Sequence, residues 1–140
     1  MKGSNQIVTG YAQMWPREVF DIREGKNLLV RKLGLLEEPG VYILYREDVP
    51  HYIGKTRRHL RERIWNHANQ PGDKYYNFWN FFSAFTVREE SHLDEIEGIL
   101  IAAIPTANSA NPRIKRINLP PRAVSILKKL RRQTVDIAMR

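Results

Sequence analysis

The chain has 140 residues, 42% of them hydrophobic, which is enough for one compact domain that buries its own core. It has no cysteine, which excludes disulfide staples and cysteine-ligated zinc fingers. No stretch approaches the roughly 20 apolar residues of a membrane span or the apolar run of a signal peptide, so an intracellular, soluble protein is expected. The net charge of +8 points to a polyanionic partner, and it is placed unevenly. Residues 1 to 112 hold 14 Lys and Arg against 14 Asp and Glu, whereas the last 28 hold nine against Asp136 alone.

In chain order, Pro16 is placed to open a helix whose apolar positions are Val19, Ile22, Leu29, Val30 and Leu33, irregular at Gly25 and stopped by Gly34. Val41 to Tyr45 is dense in β-branched and aromatic residues and predicts a strand. His51, Tyr52 and Ile53 restart the extended pattern after a polar turn, which gives a β-hairpin. Thr56 is a candidate cap for a helix to about Asn69, ended by Pro71, Gly72 and Asp73. Its apolar stripe is Leu60, Ile64 and Ala68, with Arg63 and His67 beside Leu60. Phe81 to Val87 predicts a third strand. Ser91 and Asp94 resemble a capping box for a helix to about Ile104, where Pro105 ends it. A Pro- and Asn-rich connection, Ala107 to Pro121, leads to a basic helix from Arg122 onward. The order predicts a small antiparallel sheet packed by helices, an α+β fold.

Glu97 is the most informative position. It projects near the middle of the stripe Leu93, Ile96, Leu100, Ile101 and Ile104, while Asp94 and Glu95 are expected to point elsewhere. An inward carboxylate is unfavourable by several kcal/mol unless it is paired, protonated or bound to a cation. Three readings stand: an internal salt bridge to Arg63 or Lys55, a rim position reaching solvent, or a magnesium site, which needs only one or two carboxylates. Arg63 and His67 are an edge cation and a core histidine when taken singly. With Glu97 they make a cation, an imidazole and a carboxylate that face inward together, a set suited to processing phosphate. Gly54-Lys55-Thr56 imitates the end of a nucleotide-binding loop, but Val49 stands where that motif needs glycine, and nucleotide binding is rejected.

As a whole the sequence resembles the GIY-YIG nuclease superfamily. Gly40-Val41-Tyr42 and, nine residues on, Tyr52-Ile53-Gly54 match its paired motifs, and Lys55 follows directly. Leu60, Arg63 and His67 match its arginine-containing helix, and Glu97, Pro105 and Asn108 its Glu and Pro-x-x-Asn ending.

The resemblance implies a three-stranded antiparallel sheet flanked by helices and a single-domain, metal-dependent DNA endonuclease using one Mg2+ or Mn2+ ion. Glu97 is then the metal ligand, and Arg63 neutralises charge on the phosphate. Tyr52 activates the attacking water with Tyr42 in support, Lys55 or the metal lowers the tyrosine pKa, and His67 takes the proton by relay. Gly54 and Asn108 support the site. The expected organisation is a helical extension over 1–39, the nuclease core over 40–108 and a basic connection and helix over 109–140. In that last segment Lys128, Lys129, Arg131 and Arg132 are candidate DNA contacts, and docking of Val124, Leu127 and Leu130 on the core is the structural alternative. Tyr75, Tyr76, Phe78 and Trp79 either fill the core or stack on unpaired bases. The competing functions are a non-cleaving DNA-binding module and a nuclease subunit whose specificity lies in a protein partner.

Overall fold

The computed structural model describes residues 5–73, 78–106 and 111–138. The elements are β1 (Val8–Pro16), a short hairpin of β2 (Arg23–Glu24) and β3 (Asn27–Leu28), β4 (Gly40–Arg46), β5 (Val49–Thr56), α1 (Leu60–Asn69), β6 (Phe81–Val87), α2 (Leu93–Ala103) and α3 (Pro121–Ala138). The fold is α+β, as expected. Its main sheet is antiparallel with the order β1-β6-β4-β5, so it has four strands rather than three.

The fourth strand is β1, in the segment expected to be helical. Between Pro16 and β4 only short 3-10 turns and the β2–β3 hairpin form. Gly25, at φ +64°, and Gly34 cut that segment into pieces too short for a stable α-helix. The free edge of β6 takes up β1 instead. Two irregularities interrupt this pairing, one of them between Ala12 and Trp15, where Met14 adopts φ 53° and its N–H donates to Ser83 Oγ at 3.1 Å.

Alternation along β4 divides the core between the two faces of the sheet. Tyr42 and Leu44 pack with Phe82, Leu60 and Ile64 of α1, Trp79, and Phe20, Val30 and Leu36 of the N-terminal turns. Val41, Ile43 and Ile53 pack with Val87 and with Leu93, Ile96, Leu100 and Ile101 of α2. Gly40 is needed where β4 starts, since a Cβ there would lie 2.0 Å from the Phe85 carbonyl oxygen of the neighbouring strand and 3.0 Å from Leu60 Cδ1 of α1.

Two expected caps do not form. Thr56 belongs to β5 and its hydroxyl accepts from Arg58 N, while Leu60 N–H at the start of α1 donates to the Glu38 carbonyl. A 3-10 turn over Glu90–His92 leads into α2 without a side-chain cap, because the Asp94 carboxylate is drawn to neighbouring cations. On α3, Leu127 and Leu130 are exposed rather than docked on the core. Among the aromatic residues near 78, Trp79 is buried and Phe78 is exposed against His51; Tyr75, Tyr76 and Asn108 lie outside the described residues. No described helix is long and apolar enough to cross a membrane.

Candidate active site

Tyr42 and Tyr52 lie on neighbouring strands, and the register sets Tyr42 opposite Gly54. A Cβ on Gly54 would lie 2.5 Å from both Cζ and the hydroxyl oxygen of Tyr42 and 2.8 Å from Cε2 of Tyr52. Glycine is thus required so that the Tyr42 ring can cross β5 and meet Tyr52, their centroids 6.1 Å apart.

One turn apart on α1, Arg63 and His67 point at these rings. Arg63 donates to the hydroxyls of Tyr42 and Tyr52. His67 Nε2 lies 2.8 Å from the Tyr42 hydroxyl, and His67 Nδ1 lies 2.8 Å from Asp73 Oδ1. Burial raises the Tyr42 pKa well above that of a free tyrosine, Tyr52 adds to the rise, and the Arg63 charge opposes it. Burial also lowers the His67 pKa; Asp73 pulls it back up and Arg63 adds to the lowering. Arg61 turns away to Glu37, with N–O distances of 2.6 and 3.4 Å. Arg63 is therefore the arginine that faces the tyrosines, as the helical-face argument expects. It also lines a small cleft of about 200 Å³ with Thr56, Arg58, Glu62 and Asn66.

The carboxylate side of the site is separate. Lys55, one residue beyond Gly54, points to the opposite face of β5, where its Nζ lies 3.1 Å from Glu97 Oε1 and 2.5 Å from Asp94 Oδ1. Glu97 is thus paired with Lys55, and it is half-buried rather than sealed in the core. Asp94 does not point elsewhere: three residues before Glu97, it shares the same ammonium and also meets Arg113 at 3.0 Å. Hydrogen bonding to Lys55 lowers the Asp94 pKa, and Asp94 in turn is the main cause of the raised Lys55 pKa. Gly54-Lys55-Thr56 lies on a strand, consistent with rejecting a nucleotide loop.

The predicted residues thus form two groups on the two faces of β5: Tyr42, Tyr52, Arg63 and His67 on one, Lys55 and Glu97 on the other. β5 is the last strand of the sheet, so no further strand pairs with it beyond the two groups among the described residues. Asp73 and Asp94 were missed. The i, i+3 spacing of Asp94 and Glu97 is a signal for the second; Asp73, in a turn, carries none. Among the described residues no three histidine or carboxylate side chains gather into a protein cage for a metal ion. Glu97 and Asp94 nonetheless already hold a cationic group, which suits magnesium, an ion that keeps several waters and takes one or two carboxylates.

No family model and no curated protein sequence matches the chain. Among solved structures it is similar to the GIY-YIG N-terminal endonuclease domain of UvrC from Thermotoga maritima. One point mutant of that domain, bound to its catalytic divalent cation, is 32% identical; the match covers 64% of this chain and 100% of that one, with a TM-score of 0.47. A second point mutant is 30% identical with the same coverage and TM-score, and the magnesium-bound domain is 31% identical over 61% and 97% of the two chains, with a TM-score of 0.46. Sequence identity of this level extends over the whole of the related domain, and Gly40-Val41-Tyr42, Tyr52-Ile53-Gly54, Arg63, His67 and Glu97 follow in the family's order: this chain belongs to the GIY-YIG endonuclease superfamily.

Proposed function

We propose that the chain is a metal-dependent endonuclease that hydrolyses DNA phosphodiester bonds. The observation that carries this reading is the convergence of Arg63 on the hydroxyls of Tyr42 and Tyr52, with His67 hydrogen-bonded behind Tyr42. Tyr52 is half-buried and able to touch water, whereas Tyr42 is sealed from solvent. This supports Tyr52 as the group that activates the attacking water and Tyr42 as its support. Arg63, a rigid fork of donors at the mouth of a cleft, neutralises charge that builds on the nonbridging oxygens.

Glu97 would hold one Mg2+ or Mn2+ ion. When bound, the ion polarises the phosphate and stabilises the departing 3′ oxygen. Lys55 would be released from Glu97 and kept nearby by Asp94, its ammonium then available to the phosphate. Asn108 would brace the site. Lys128, Lys129, Arg131 and Arg132, all exposed on α3, would grip the DNA backbone.

The test is nicking of supercoiled plasmid in magnesium by the native chain and by Glu97→Ala. Native nicking, a loss of at least about 100-fold in Glu97→Ala, and retained DNA binding in a gel-shift assay are expected. Binding without nicking by the native chain on supercoiled, branched and single-stranded DNA would leave a DNA-binding module instead.

A further inference from the structure

The hydrogen bonds around Tyr42 extend to Asp73, a residue that no sequence motif marks. An ionised carboxylate only accepts, so the 2.8 Å contact between Asp73 Oδ1 and His67 Nδ1 requires the ring proton on Nδ1. A neutral imidazole then has no proton on Nε2, and the 2.8 Å contact with Tyr42 requires the tyrosine to donate. Tyr42 has one proton. The His67 contact engages it, so toward Tyr52, whose ring lies 6.1 Å away between centroids, Tyr42 can only accept, and the Tyr52 hydroxyl is left as the donor. Arg63, which only donates, fills the second lone pair of Tyr42 and one of the two on Tyr52, which leaves one on Tyr52 for water. Every proton in the chain is thereby oriented from Tyr52 toward Asp73.

From this geometry we infer that Asp73 is a positioning residue that fixes the tautomer of His67 and so aligns a one-way proton relay, Tyr52 to Tyr42 to His67. The inference rests on the nuclease reading above and deepens it. The attacking water gives a proton to a lone pair of Tyr52 as its oxygen bonds phosphorus and the P–O bond to the departing strand end breaks. The Tyr52 hydroxyl proton passes to Tyr42, and the Tyr42 hydroxyl proton passes to His67 Nε2. The proton rests on an imidazolium held by Asp73, and the departing oxygen takes a proton from solvent. No free phenolate forms, which removes the obstacle of a tyrosine base whose reference pKa is about 10. The arrangement has the logic of a serine–histidine–aspartate triad, in which the carboxylate orients the imidazole and stabilises its charged form.

The groups facing His67 are Tyr42 from β4, Tyr52 from β5, Arg63 from its own helix and Asp73 from the following turn, and the Trp79 indole N–H donates to its carbonyl. Asp73 is the acid among them. The Asp73→Asn variant keeps the shape, removes the charge and offers an amide donor to Nδ1.

The decisive measurement is 15N NMR of histidine-labelled, metal-free protein. A neutral His67 ring with its proton on Nδ1 is expected in the native chain, and loss of that preference in Asp73→Asn. A proton on Nε2 in the native chain overturns the inference without any variant having to fold. In nicking assays Asp73→Asn is expected to lower kcat on the order of 100-fold with KM for DNA unchanged. The acid limb of its pH profile should move to lower pH, because the carboxylate that raises the His67 pKa is gone. An unchanged rate and pH profile in Asp73→Asn overturns the relay even if the tautomer is as expected. Failure of the native chain to nick counts against the nuclease reading, and the tautomer result stands apart from it.

Discussion

At the scale of single residues, the two motif glycines explain themselves by what crowds them. Gly54 is the more informative, since the space over it is filled by the Tyr42 ring. Gly54→Ala forces the Tyr42 and Tyr52 rings apart, and overpacking of this kind costs about 1–3 kcal/mol. Urea unfolding should show that loss, and nicking should fall by more than the unfolded fraction accounts for, because Arg63 can no longer span both hydroxyls. Equal losses of fold and activity would instead show that the glycine serves packing alone. Glu97 also takes a definite place at this scale. An ammonium satisfies it, so binding of a divalent cation there would be an exchange of one cation for another rather than relief of a bare buried charge.

At the scale of elements, α3 carries the charge excess and leaves it on the surface. Replacing Lys128, Lys129, Arg131 and Arg132 by Ala should weaken DNA binding and reduce the slope of log K against log salt by about 3 to 4, since each phosphate that is no longer neutralised removes about 0.9. Cleavage at saturating DNA should stay within about twofold. An unchanged salt slope would assign the grip to other cations. The elements that hold the site were legible because their signals are local: β-branched and aromatic runs for β4, β5 and β6, and helical stripes for α1 and α2. Arg63 and His67 could be placed beside Leu60 from periodicity alone. β1 was not legible, since its sequence, Val8 to Pro16, includes Gly10, alternates weakly and depends on a partner about 70 residues away. Asp73 was illegible for a related reason, because a turn has no period from which to read a direction. The cap at Asp94 failed because tertiary cations outcompeted a local N–H, and the one at Thr56 because that residue ends β5.

At the scale of the whole molecule, the buried relay links stability to pH. His67 has its pKa lowered by burial, so between its folded value and the unfolded value near 6.5 the unfolded chain binds the extra proton. The contribution of neutral His67 is complete above about pH 6.5 and declines as pH falls from there toward the lowered folded pKa. Chemical denaturation at pH 7.5 and pH 5.5 should show native stability falling with acid, and His67→Gln should flatten that fall while being less stable at the higher pH. A native chain equally stable at both values would contradict the assignment of a buried, neutral imidazole.

The open edge of β5 has another consequence, in association between molecules. A sheet edge with no further strand on it offers its backbone to the strands of other chains. Pro50 lacks an N–H to give to such a strand. At the far side of the sheet, the irregular pairing of β1 around Met14 twists the other edge out of a regular ladder. The proline of β5 thus makes that edge a poorer template for a second copy of the chain.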